Sequence, residues 1–163
     1  MIANKFELTY DSGAMKPLFF ATATEFRAWL EEHHGDTPEL WVGFYKKSTG
    51  KPSITWPEAV DQALCFGWID GLSKGIDDIS YSIRFTPRKP RSTWSLVNIR
   101  RVEELSQMGL MRSAGLKAYE ALDKERSGIY AYEQKEAAEL DEAYSERFRS
   151  NKKAWDFFQA QAD

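Results

Sequence analysis

Six consecutive residues, Leu40-Trp-Val-Gly-Phe-Tyr45, constrain the fold most, because they are apolar on both alternating faces. Such a run predicts a strand that is central in its sheet and covered on each side, since an edge position would leave half of it in water. The neighbouring segments supply the partners. Pro17-Leu-Phe-Phe20 predicts a short strand, and Thr22 to Glu25 spells a capping box that opens a helix. Phe26, Trp29, Leu30 and His33 then recur on one helical face, with Gly35 placed to end it. Thr55-Trp-Pro-Glu58 is a second capping box with proline in the first turn, and Ala59, Val60, Ala63, Leu64, Gly67 and Trp68 share the face that follows.

Tyr81, Ile83 and Phe85 alternate as in a half-buried strand, and a turn at Asp77-Asp78 before them predicts a hairpin after the helix. Beyond Arg91 the period becomes helical. Leu96, Ile99, Val102 and Leu105 form one stripe stopped by Gly109, Ser113 opens a short helix through Leu122, and from about Glu133 the chain reads as helix, with Ser150 or Asn151 capping a second segment. Strands early and helices late predict an α+β domain with a small, mostly antiparallel sheet packed by helices and a helical C-terminal part. At 163 residues, 42% of them hydrophobic, the chain suits a single domain over residues 1–163. Within it, 1–16 read as a loosely held lead-in, 17–125 as the core and 126–163 as C-terminal helices.

The overall charge is −3, too near neutral for a protein that coats nucleic acid with its whole surface. The charge is nevertheless segregated. Between Ile79 and Val102 stand Arg84, Arg88, Lys89, Arg91, Arg100 and Arg101 with no acidic residue, so the rest carries −9 against +6 here. Pro87 and Pro90 stiffen the loop, and Ser92, Thr93 and Ser95 sit where a helix begins. Guanidinium forks, hydroxyls and unpaired helix N–H groups are what an anion needs. The same cluster is also what a loop docked on the protein's own acidic helices would carry. Trp94 inside it can stack on a flat ligand or anchor a core.

Other chemistry is sparse. Asp70, at the exit of the second helix, can cap a turn, pair with an arginine or serve as a base. Cys65 has His33 and His34 as conceivable partners but no third orienting group, and a lone cysteine in an apolar helix suits a core. A single cysteine excludes an internal disulfide and a Cys-rich zinc module. No catalytic set, metal site or cofactor is expected. The N-terminus lacks a signal-peptide pattern and no run approaches the roughly 18 apolar residues of a membrane span, so the expected location is cytoplasmic. Aromatic residues make up 14%, with six tryptophans. Trp29, Trp41 and Trp68 fall on expected core faces and Trp56 in a helix start, where burial explains them.

Glu39-Leu-Trp-Val-Gly-Phe-Tyr-Lys-Lys47, Glu58-Ala-Val-Asp-Gln-Ala-Leu-Cys-Phe-Gly-Trp-Ile-Asp-Gly71, Arg84-Phe-Thr-Pro-Arg-Lys-Pro-Arg-Ser-Thr-Trp-Ser95 and Asn98 with its following helix resemble the YdeI/OmpD-associated family, of bacteriocin-protection type. The resemblance spans roughly residues 17–125. It implies a small bacterial protein tied to porin association and to tolerance of bacteriocins or cationic peptides, and carries no catalytic residue over. Family members continue past the Trp155-Asp-Phe-Phe158 region into a basic helical tail, whereas this sequence ends at Asp163, so either self-association through Trp155, Phe157 and Phe158 or a frayed end is expected there. The expected function is a ligand-binding or stress-tolerance module whose site is Arg84, Arg88, Arg91, Trp94 and Asn98, with Trp68 and Asp70 nearby, receiving a small anion. A nucleic-acid binder using the Arg84–Arg101 segment and an enzyme with Asp70 as general base are the alternatives.

Overall fold

A computed structural model describes residues 16–128 and 142–159. The chain divides into two compact units, residues 1–128 and 129–163. The expected lead-in, up to residue 15, and the first residues of the helix expected from Glu133 lie outside the described residues.

In the first unit, β1 (Leu18–Phe19) leads to α1 (Ala23–His33), β2 (Leu40–Tyr45), α2 (Trp56–Cys65), β3 (Trp68–Gly75), β4 (Ser80–Pro87), α3 (Leu96–Gln107) and α4 (Ser113–Glu120). The sheet order is β1-β2-β4-β3. β1 runs parallel to β2, whereas β2 with β4 and β4 with β3 are antiparallel, so the sheet is mixed and the class is α+β. β2 is interior, as its two apolar faces require. The C-terminal unit contributes α5 (Glu142–Ser150) and α6 (Lys152–Gln159), joined where the Asn151 side chain accepts from the Ala154 N–H at 3.3 Å.

The helix starts follow local chemistry. Thr55 Oγ1 accepts from the Glu58 N–H and Glu58 returns to the Thr55 N–H at 2.8 Å, closing the box. At α1 the Thr22 hydroxyl accepts from the Glu25 N–H at 3.2 Å, but Glu25 reaches back to the Ala21 N–H at 2.9 Å, one residue earlier than the motif predicts. Gly35 does not take the left-handed conformation of a helix-stopping glycine. The last turn of α1 is closed instead by His34, whose N–H and Nδ1 both meet the Leu30 carbonyl, at 3.0 and 2.7 Å. α2 is one turn shorter than its apolar spacing suggests, because Gly67 turns the chain at φ +75° and Trp68 opens β3 rather than extending the helix. The hairpin turn is held by Asp77, which accepts from the Ile79 N–H and the Ser80 hydroxyl at 3.0 and 2.7 Å.

Alternation along the strands separates two faces. Leu40, Val42 and Phe44 of β2 pair across from Phe85, Ile83 and Tyr81 of β4 and point at the helices. There Phe26 of α1 meets Phe85 with centroids 5.6 Å apart, and Trp29 meets Trp68 edge-on at 5.9 Å. Phe26, Leu30, Val42, Leu64 and Phe85 are sealed from water, each contributing roughly 1.5–3 kcal/mol by burial. Trp41, Gly43 and Tyr45 fall on the opposite face, beside Arg84 and Ser82, and Trp41 and Tyr45 are only half-buried. The expectation of cover on both sides of β2 is thus met on one side among the described residues. Trp56, expected to be buried at its helix start, is half exposed, its indole donating to Asp70 at 2.9 Å.

Candidate anion-binding cleft

The fold divides the acid-free basic segment. Arg84 leaves β4 on the face away from the helices, opposite Trp41, with Glu39 3.4 Å from its Nη1. Arg101 of α3 grips Asp61 of α2 through two 2.7 Å bonds and also pairs with Glu104. Those carboxylates hold its pKa above the ordinary guanidinium value, so it staples two helices. Arg91 is 85% exposed, has a positive φ and lies 4.0 Å from Asp123. Asn98, in the first turn of α3, donates its backbone N–H to the Ser95 capping hydroxyl. Asp70 is occupied by the Trp56 indole. Arg84, Arg91, Asn98 and Asp70 therefore do not converge with Arg88.

Arg88 and Trp94 do meet. The Arg88 guanidinium carbon stands 3.6 Å from the centroid of the Trp94 ring, a cation–π contact that fixes the arginine's direction. Trp94 is held from all sides: its N–H donates to Ser127 Oγ, its carbonyl accepts from the Gly128 N–H, and Tyr119 lies edge-on at 5.7 Å. It is fully buried, and its indole N–H has no hydrogen-bond partner. Stacking of Trp94 on a ligand, expected from its place in the basic loop, is closed off by that burial. Its role is to carry Arg88.

Arg88 forms one wall of an open cleft of about 410 Å³. The Arg88 N–H donates to the Gly67 carbonyl at 2.8 Å, pinning the end of β4 to the turn between α2 and β3. Phe66 and Trp68 lie at the bottom, and the Trp68 indole donates to the His34 carbonyl at 3.2 Å, tying the end of α1 to the same place. Ala114, Lys117 and Ala118 from one face of α4 and Pro87, Lys89 and Pro90 beside Arg88 complete the lining. Small side chains let α4 come close. Among the described residues, no carboxylate, hydroxyl or thiol lines this space.

Of the site expected from sequence, the structure brings Trp68 and Arg88 into this cleft and Trp94 directly beneath Arg88. His34, Phe66 and Lys117 are additions. Lys117 stands on a helix 29 positions further along the chain, so spacing within the basic loop does not reveal it. The nearest sequence signal is the Ser113-Ala-Gly-Leu-Lys-Ala118 run, whose small residues mark a close-packed helix face.

Cys65 is buried within α2. Burial pushes its thiol up, with Arg27 partly offsetting that shift, which keeps it protonated and unlike an activated nucleophile. In the C-terminal unit, Phe148 meets Trp155 edge-on at 5.6 Å and Phe157 is 70% exposed. The Phe158 side chain lies outside the described part of the structure.

Fold and site together define a small α+β protein with a cationic cleft at the edge of its helical layer. A family model described as a domain of unknown function (DUF8412) matches residues 18–118, and the chain belongs to that family. The match takes in His34, Phe66, Trp68, Arg88 and Lys117. Neither the curated proteins nor the solved structures hold a match to this chain. Among the described residues no helix is long and apolar enough to cross a membrane.

Proposed function

We propose that this chain is a ligand-binding module of YdeI/OmpD-associated type, acting in stress or bacteriocin tolerance, whose cleft holds a small organic acid. The observation that carries the ligand reading is the composition of the cleft. Arg88, Lys89 and Lys117 stand around an apolar interior of alanines, prolines and aromatic rings. An apolar body would fill the interior while a carboxylate or phosphate met the cations, Arg88 offering a fork and Lys117 a point charge. Binding rather than turnover is favoured because the one imidazole in the lining, His34, is already engaged through Nδ1 with the Leu30 carbonyl. Kinship with the YdeI/OmpD-associated family rests on the four sequence strings, and a single unpaired cysteine suits a reducing compartment.

A thermal-shift panel of phosphate, aromatic carboxylates, sugar phosphates and nucleotides tests the ligand reading. A ligand at a hundred times its Kd raises stability by about 2.7 kcal/mol, a shift of several degrees. The expected result is at least one hit that Arg88→Ala and Lys117→Ala each weaken while Arg101→Ala does not. A panel without a hit, or a hit indifferent to Arg88 and Lys117, counts against it.

A further inference from the structure

We propose that the sheet face opposite the helices binds single-stranded nucleic acid. Three aromatic rings form a row there. Trp41 and Tyr45 stand on one side of β2, four residues and so about 13 Å apart, and Phe19 from β1 lies between them over Gly43. Gly43 makes that position available, since a Cβ at residue 43 would sit 2.6 Å from the Phe19 ring carbons. Phe19 is thereby laid flat and stacks on Tyr45 with centroids 4.6 Å apart. It is 38% exposed.

Cations accompany the rings. Lys74 Nζ lies 4.8 Å from the Trp41 centroid, Lys51 Nζ lies 4.7 Å from the Tyr45 centroid, and Arg84 is the cross-strand partner of Trp41. The nearby carboxylates are Glu39 on Arg84 and Asp77, which feels Lys51. A part-exposed aromatic row flanked by exposed lysines fits a strand whose bases stack on the rings while the lysines turn to its phosphates. A folded protein partner would have to bury the lysines, a residue type depleted from protein interfaces. The net charge of −3 confines such binding to this patch and keeps it modest.

Fluorescence anisotropy of labelled twelve-nucleotide oligo(dT) and oligo(U), titrated with the full chain at 50 mM salt, tests the proposal. Saturable binding is expected, with a salt slope near −1.4 for two phosphate-facing lysines, equivalent to about a sevenfold loss between 50 and 200 mM salt. Trp41→Ala should weaken it about tenfold, and Gly43→Ala, which lifts Phe19 off the sheet, should also weaken it. Lys51→Gln with Lys74→Gln touches only solvated side chains and should flatten the slope, which keeps the test open if Trp41→Ala fails to fold. Trp41→Phe should retain binding while removing part of the tryptophan quenching. Absence of saturable binding overturns the proposal. So does binding unchanged by Gly43→Ala and the double lysine variant, binding lost in Arg88→Ala, or a dimer seen by light scattering that the Trp41 variants dissolve.

Discussion

The two faces of the sheet carry similar residues to opposite ends. Toward the helices, Trp29, Trp68, Phe26 and Phe85 are sealed and pack edge to face, and the cleft opens at the margin of that layer. On the other side, Trp41, Tyr45 and Phe19 remain part-exposed, two of them with a lysine over the ring. An aromatic residue in this chain is therefore no guide to the core by itself. What decides its role is whether a helix or a cation lies over it.

The largest expected contrast lies between two tryptophans. Trp29→Ala removes a fully buried ring and should cost about 3–5 kcal/mol, whereas Trp41→Ala should cost about 1 kcal/mol, the scale of a partly exposed cation–π contact. Denaturant titrations at constant slope measure both, and equal losses would erase the distinction between the faces. Next comes the helical layer beneath the cleft. At Gly115 of α4 an added Cβ would stand 2.3 Å from the Cys65 carbonyl oxygen, a backbone atom with little room to give. Gly115→Ala should cost about 1–3 kcal/mol and, by pushing α4 outward, weaken any ligand that depends on Lys117. A neutral Gly115→Ala by thermal melting would mean that α4 is not held so closely.

Smaller effects distinguish the staple from the site. Arg101→Ala breaks the pair of hydrogen bonds to Asp61 and should cost about 1 kcal/mol, the upper end for exposed pairs, while leaving ligand shifts intact; a matching loss of binding would mean that the basic segment acts as one patch. Thr55→Ala should cost about 1 kcal/mol through the lost cap. The Thr55 hydroxyl and N–H hold the Glu58 carboxyl below its ordinary 4.5, so the pair stabilises the fold above that pH and loses its contribution as pH falls through the depressed value. Acid unfolding followed by circular dichroism should accordingly show a shallower loss below about pH 4.5 in Thr55→Ala than in the parent.

Much of the fold is legible in the sequence because its signals are local. The two threonine starts, the Tyr81-Ile83-Phe85 alternation, the interior position of β2 and the Leu96 to Leu105 stripe each depend on neighbours within a few residues. Cover is not a local property. Leu40 to Tyr45 is apolar on both sides, yet alternation alone does not say that Val42 meets helices while Trp41 meets Lys74. The cleft is legible by half for the same reason. Arg88 and Trp68 stand in recognisable strings, but Arg84, one strand turn away in sequence, leaves on the other face of β4. Lys117 and His34 reach the cleft from two separate helices. Trp94 belongs to the site region in sequence and to the core in space, because Arg88 closes over its ring.

The central claim is that the cleft beside Arg88 and Lys117, rather than the basic segment as a whole, receives the anion. An amide NMR titration with benzoate and with inorganic phosphate tests it most directly. The account predicts saturable shifts at Gly67, Arg88, Lys89 and Lys117, lost in the Arg88→Ala, Lys117→Ala double variant. Shifts that centre on Arg84, Arg91 and Arg101, or that grow without saturation across the surface, would contradict it.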